Sequence, residues 1–308
     1  MAEVHFDKYY VHDVERMSSL RKRAGRAYRR LKARLIQDGL MYPYGLYKHQ
    51  ALLKSCERTQ SHTYTCFLRS PSQLRTICGP VMDFLGNPER TQRKLEVLLF
   101  ACSNGAEVYT LASWLMTHLP GLDFHITASD LHEEMVEYAR AAEYAPGEAL
   151  HSDYVTRSFV EATFIRTGDR YVVRPEIRAK ASFHQANLLD AEALARRFQK
   201  TEMVVAQNVL FHLDPELAER AFDNLVAMLR PRAVLLVEGM DQSLRIKVTR
   251  RHGLTPLTAN SRRIYNETRV HTPVRWWEFY WGSEPYAVWR SSRHRRYGTI
   301  FLNDKQSR

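Results

Sequence analysis

This chain of 308 residues lacks several features, and each absence removes a class of function. No two of its four cysteines (Cys56, Cys66, Cys78, Cys102) stand at CxxC or zinc-ligand spacing, so no metal site and no redox dithiol is expected. They read as ordinary thiols of a reducing compartment, which makes a cytoplasmic location the expectation. No apolar run approaches the about 18 residues of a membrane span; VLLF and AVLLV are strand-sized. The N-terminal MAEVHFDKYY has no basic stretch leading into an apolar core, so no secretory signal is expected. Internal repeats and low-complexity tracts are absent too. Acidic residues are outnumbered, 34 against 45 Lys and Arg, for a net charge of +11. That balance favours an acidic partner surface and says nothing about fold. With 44% hydrophobic residues, there is ample material for one large domain or two ordinary ones.

What is present is organised around Leu95–Leu119. A buried strand (Leu95–Ala101) runs into a turn (Cys102–Gly105). An amphipathic helix follows, with Val108, Leu111, Ala112, Leu115, Met116 and Leu119 on one face. Strand, tight turn and helix N-terminus form the first unit of a nucleotide-type α/β domain. The turn has one glycine, Gly105, and not the G-x-G-x-x-G that brings backbone N–H groups onto a pyrophosphate. Glu107 stands where a phosphate would want positive charge. An acidic turn suits a cationic ligand, and S-adenosylmethionine is one: sulfonium, ammonium and ribose, without phosphate. A second strand, Phe124–Ala128, ends in Ser129–Asp130, about 25 residues past the glycine. α/β nucleotide sites place a ribose-binding carboxylate at about that distance.

Around this centre the chain reads as follows. Residues 1–60 read as helical and are basic. Arg16, Arg21, Lys22, Arg23, Arg26, Arg29, Arg30, Lys32 and Arg34 oppose an apolar stripe of Leu20, Ala24, Ala27, Leu31 and Leu35. This is either a docking face for an acidic partner or a solvated helix face. Helices are predicted at Gln73–Leu85 and Glu133–Ala142, and another begins at Asp214–Pro215, with Asp214 as its cap, and stops at Arg230–Pro231. Strands are predicted at Phe183–Leu189, Met203–Asn208 and Ala233–Val237, and a hairpin about Gly168–Asp169. Leu254–Leu257, Arg263–Tyr265 and Tyr286–Trp289 are candidate antiparallel edge strands around the aromatic-rich VRWWEFYWGSEPY, which either packs in the core or lines a substrate pocket. The expected fold is α/β: a mostly parallel sheet with helices on both faces.

Several segments together resemble the CheR-type S-adenosylmethionine methyltransferases, which methylate glutamates of bacterial chemoreceptors. TYTCFLR is similar to TNxTxFFR, SNGAEVY to STGEEPY, ASDLH to ASDID, ANLLD to the NLL segment, and QNVLFHLDP to RNVxIYFDP. The resemblance implies a small helical domain (1–90). A Rossmann-like class I methyltransferase domain (91–308) follows, with a β insert near 145–180 and the aromatic-rich C-terminal segment. It implies S-adenosylmethionine as methyl donor, leaving S-adenosylhomocysteine as product. Thr63, Thr65 and Arg69 would lie beside the donor, Glu107 at its amino group, Asp130 and Leu131 at the ribose end, and Asn187 and Leu188 near adenine. Gln207 and Asn208 would close the fourth strand.

Departures from the pattern cluster on the acceptor side. Gln207 replaces an arginine, His212 a tyrosine, Ser70 an aspartate, and VEGMD stands where HSE is expected. A carboxylate acceptor is already ionised and needs no base, whereas a hydroxyl or ammonium must lose a proton that histidine can take. His212, with Arg69 as a clamp, is therefore the expected catalytic pair. The acceptor is expected to be an O or N on a small molecule or a peptide or protein side chain, not a chemoreceptor glutamate. The alternatives are glutamate methylation in a chemotaxis-like system, nucleic-acid methylation, which the resemblance disfavours, and donor binding without turnover.

Overall fold

The computed structural model describes Tyr28 and residues 65–89, 91–270 and 286–305. Thr63, the basic run Arg16–Arg34 apart from Tyr28, and the aromatic core of the C-terminal segment lie outside the described residues.

The strands are β1 (Leu95–Phe100), β2 (Phe124–Asp130), β3 (Glu143–Tyr144), β4 (Phe164–Thr167), β5 (Arg170–Val173), β6 (Ala181–Gln185), β7 (Thr201–Gln207), β8 (Leu229–Glu238), β9 (Thr255–Pro256) and β10 (Ile300–Asp304). The helices that matter for the site are α1 (Pro71–Thr76), α2 (Ala106–His118), α3 (Glu133–Ala141), α4 (Pro215–Ala227), α5 (Gln242–Arg251) and α6 (Ser261–Val270).

Seven strands form one sheet in the order β6-β2-β1-β7-β8-β10-β9. The first five are parallel; β10 runs antiparallel to both β8 and β9. The order reverses between β1 and β7, which opens a crevice at the carboxyl ends of those strands. β3, β5 and β4 make a small antiparallel sheet, its β4–β5 turn at Gly168–Asp169 and its strands close to the expected insert.

Side-chain alternation along the strands divides the core in two. Leu95, Val97, Leu99, Met203, Val205, Val234 and Leu236 face α2, with its Val108, Leu111, Ala112 and Leu115. Phe67, Leu74, Ile77, Val81 and Leu85, which precede the expected boundary at residue 90, join this same cluster. Leu98, Phe100, Val204, Ala206, Leu235 and Val237 face Ala221, Phe222 and Leu225 of α4 and Val248 of α5. β7 is buried along its whole length, as a central strand covered on both sides must be.

Several expectations are corrected. The helix expected at Gln73–Leu85 is α1, a π-helical turn (Ile77–Val81) holding Pro80, and a short α turn (Met82–Phe84). A proline has no N–H for the i→i−4 ladder, and the wider turn accommodates it. Arg230–Pro231 does not stop a helix in place: α4 ends at Ala227 and Pro231 lies inside β8. There the pairing with β7 skips from Leu229 to Val234, an irregular stretch in which proline costs no ladder bond. Asp214 precedes α4 without a side-chain cap bond. Arg263–Tyr265 is helical, within α6, and Tyr286–Trp289 forms no strand; the edge is built by β9 and β10.

Candidate active site

An open cleft of about 880 Å³ lies at the carboxyl ends of β1, β2 and β7. Thr65, Arg69, Glu107, Asp130, Leu131, Asn187, Leu188, Gln207, Asn208 and His212 all line it, joined by Ser103 and His132. The structure thus brings together every site residue expected from the sequence except Thr63, which lies outside the described residues.

The turn after β1 shapes one wall. Ala101, Ser103 and Gly105 all take positive φ, at 56°, 49° and 85°. Strain of this kind in non-glycine residues persists where the surroundings enforce it, commonly at ligand sites. A Cβ on Gly105 would lie 2.9 Å from Cβ of Ala139 on α3, so only glycine lets α2 start this close to its neighbour. The contorted turn aims the Ser103 N–H at Asp130. That carboxylate, buried at the tip of β2, accepts from Ser103 N at 2.7 Å through Oδ2 and from His132 N at 3.0 Å through Oδ1. Two backbone donors fix its plane, and each oxygen keeps acceptor capacity toward the cleft.

Arg69 is positioned by the residues just before it. Phe67 is fully buried against Tyr144 and Phe164, with ring centroids 4.9 and 5.0 Å away. The Leu68 N–H donates to Thr110 Oγ1 of α2 at 3.2 Å, and Ser152 Oγ donates to the Leu68 carbonyl at 3.1 Å. The small antiparallel sheet thereby supports the cleft: its aromatic side chains clamp the segment that presents Arg69.

Glu107 sits on the first turn of α2. Burial of its carboxyl pushes its pKa up to about 7; the Arg69 guanidinium opposes the rise and the Glu238 carboxylate adds to it. Glu238 escaped the sequence reading. It is buried at the end of β8 and pairs in register with Gln207, so both side chains lie on the α2 face of the sheet. Gln207 Nε2 donates to Gln73 Oε1 at 2.6 Å, tying β7 to α1. Arg69, Glu107 and Gln207 also rim a smaller recess of about 450 Å³, floored by Leu99, Val205 and Leu236.

The opposite wall follows β7. Asn208 takes a positive φ of 53° and its N–H donates to the Glu238 carbonyl at 3.0 Å. The Phe211 N–H donates to the Gly239 carbonyl at 2.8 Å, and a Cβ on Gly239 would stand 2.6 Å from Asn208 Cα. The 3₁₀ turn Leu210–His212 is stitched to the end of β8 in this way, and it carries His212 to the rim of the cleft. On the third side, Asn187 Oδ1 accepts from Leu189 N at 2.9 Å and shapes the loop that presents Leu188.

The CheR methyltransferase family, through its SAM binding domain, matches residues 63–259. The chain belongs to this family. The matched segment runs from the stretch that positions Arg69 to just beyond β9, so it contains the whole cleft. The seven-stranded sheet, parallel but for β10 and the edge it makes with β9, is the class I methyltransferase architecture. Among relatives, an uncharacterized 104.1 kDa protein of Rhodobacter capsulatus is 27% identical over 71% of this chain and 23% of its own length. A chemotaxis protein methyltransferase of Listeria innocua is 28% identical over 51% of this chain and 57% of its own. Chemotaxis protein methyltransferase 1 of Pseudomonas aeruginosa is 30% identical over 47% and 54%. The chain therefore spans about a quarter to under three-fifths of these relatives' lengths. Among the described residues no helix is long and apolar enough to cross a membrane.

Proposed function

We propose that this CheR-family chain transfers a methyl group from S-adenosylmethionine to an oxygen or nitrogen acceptor other than a chemoreceptor glutamate, on a small molecule or a peptide or protein side chain. The donor set of the cleft fits the ligand. Asp130 offers a pre-oriented carboxylate to vicinal ribose hydroxyls, Glu107 a carboxylate to the ammonium, and Arg69 a guanidinium to the carboxylate. Leu131, Leu188 and Asn187 offer apolar and amide surface to the adenine, with Thr65, Gln207 and Asn208 completing the surround.

When bound, S-adenosylmethionine supplies an electrophilic methyl carbon. The residues of this chain hold the donor, align the acceptor in line with that carbon and take up the proton that a hydroxyl or ammonium acceptor loses. His212 is assigned the last role. It lines the cleft on the 3₁₀ turn that follows β7, and a ring nitrogen of histidine takes a proton near neutral pH.

The observation that carries the acceptor reading is charge. Asp130 and Glu107 line the cleft and Glu238 adjoins Gln207, while Arg69 is the one Lys or Arg among the described residues that line it. With Asp130 and Glu107 facing the cationic donor, the buried Glu238 carboxylate beside Gln207 is the charge left to repel an anionic acceptor, and it does not oppose a neutral hydroxyl or an amine. The basic run Arg16–Arg34 is proposed as the docking segment for an acidic partner.

The test is transfer of labelled methyl by the purified chain to amine, alcohol and carboxylate acceptor pools. Amine or alcohol labelling is expected, with His212→Ala slowing turnover about 10²-fold while donor affinity holds. Efficient labelling of receptor glutamates, or full activity in His212→Ala, would overturn the reading.

A further inference from the structure

α1 lines the smaller recess that shares Arg69, Glu107 and Gln207 with the cleft: Arg69 and Ser70 lead into it, and Gln73 on its first turn reaches Gln207. The first turn of a helix leaves backbone N–H groups without partners, and the residue before the helix usually satisfies one. Here Ser70 makes no side-chain cap bond and Pro71 has no N–H. The next donor, Ser72 N, instead gives its hydrogen to Oε2 of Glu267, 195 residues away on α6, at 2.8 Å. The Ser72 hydroxyl donates to the other oxygen of the same carboxylate, and Ser70 Oγ approaches it at 3.4 Å. Arg75 and Arg263 balance its charge at 3.7 and 3.5 Å, and Glu267 itself is 8% exposed.

Taking the cleft as the donor site, we propose that Glu267 is a positioning residue: its carboxylate caps α1 from a distance and thereby holds Arg69 opposite Glu107. Arg69 lies between two anchors. Leu68 is fastened to Thr110 of α2 on one side, and Ser70 and Ser72 are fastened to Glu267 on the other. With the second anchor gone, the first turn of α1 frays and the guanidinium loses its fixed place. Two consequences follow. The donor loses a charged partner for its carboxylate. Glu107 loses the positive charge that restrains its proton affinity, while Glu238 remains beside it to raise that affinity. The other charged or titratable groups on the cleft, Asp130, His132 and His212, lie on elements that Glu267 does not touch.

The experiment is calorimetric titration of the full chain with S-adenosylhomocysteine from pH 5.5 to 8.5. In wild type the affinity rises through a midpoint near that of Glu107, about 7. Glu267→Ala is expected to bind about tenfold more weakly at pH 7.5 and to move the midpoint upward. Glu267→Gln keeps an oxygen for Ser72 N–H and should restore most of both. Arg263→Ala removes a charge partner and leaves the cap, so it should change neither. A folded Glu267→Ala with the wild-type midpoint overturns the proposal, even if its melting temperature falls, since that is a purely structural effect. Arg263→Ala as defective as Glu267→Ala overturns it as well. Should Glu267→Ala fail to fold, Glu267→Asp, one methylene short of Ser72 N, must show the same upward movement or the proposal fails. Wild type that binds no ligand at any pH would sink the donor-site reading instead.

Discussion

Glu107→Gln separates electrostatics from shape in this cleft. Burial moves the Glu107 carboxyl from an ordinary 4.5 to about 7, which corresponds to about 3 kcal/mol against its ionised form. The sign follows from which state holds the proton. Below the unfolded value of 4.5 both states are protonated and the residue costs nothing. As pH rises, the unfolded chain ionises first, so stability is lost progressively until the folded carboxyl ionises too, at about 7, and the loss then levels off. Glutamine has the same shape and no charge. The variant should match wild type near pH 4 and exceed it by about 2–3 kcal/mol at pH 8, read by urea denaturation across pH. Ligand binding should show the opposite. An ammonium wants the ionised carboxylate, so wild-type affinity for S-adenosylhomocysteine should climb about 20-fold from pH 5.5 to 7.5, with protons released on binding. The glutamine variant should be flat over that range and about tenfold weaker at its top. A stability gain independent of pH, or a wild-type affinity that does not change with pH, would refute the assignment of Glu107.

Two further outcomes probe the walls. Asp130→Ala should weaken S-adenosylhomocysteine by about 1.5–3 kcal/mol, tenfold or more in Kd by calorimetry, because it removes the carboxylate that two backbone N–H groups orient. Unchanged affinity would move the ribose elsewhere. Gly239→Ala places a methyl 2.6 Å from Asn208 Cα at a φ of +64°, so it should lower the melting temperature and cut turnover by displacing the His212 turn. Wild-type melting and rate in that variant would show the turn to be more yielding than the contacts imply.

How far the sequence discloses this molecule depends on the range of the interaction. β1, the turn to Gly105, α2 and β2 ending at Asp130 are legible because each is set by neighbours in the chain: periodicity, one glycine, a polar strand tip. The β4–β5 hairpin is legible from Gly168–Asp169 for the same reason. Pro231 misleads because its local meaning, helix stop, gives way to an irregular pairing with β7 that no neighbour announces. Arg263–Tyr265 reads as a strand on three residues, whereas the buried Ser261, Ile264, Tyr265 and Glu267 follow a helical period. Glu238 and Glu267 could not be found by local pattern. Each looks like an ordinary surface acid until folding brings Glu107 to one and Ser72 to the other. The spacing of Asp130 from Gly105 points to a ribose-binding carboxylate, but its clamp of Ser103 and His132 N–H groups depends on the left-handed backbone of the β1–α2 turn.

The position of β10 has a temporal meaning. It is made of residues 300–304, yet it lies inside the sheet, between β8 and β9. During synthesis at about 5–20 residues per second, the chain emerges with the parallel strands complete and the outer side of β8 still bare. A run of unpaired backbone groups along Val234, Leu235 and Leu236 would invite any other strand nearby. β9 cannot close that side, because its partner is β10 and not β8. Among the described strands, the one that seals the sheet is thus made after all the strands it must join, and a message truncated just short of it would leave the side of β8 open with the cleft residues already encoded.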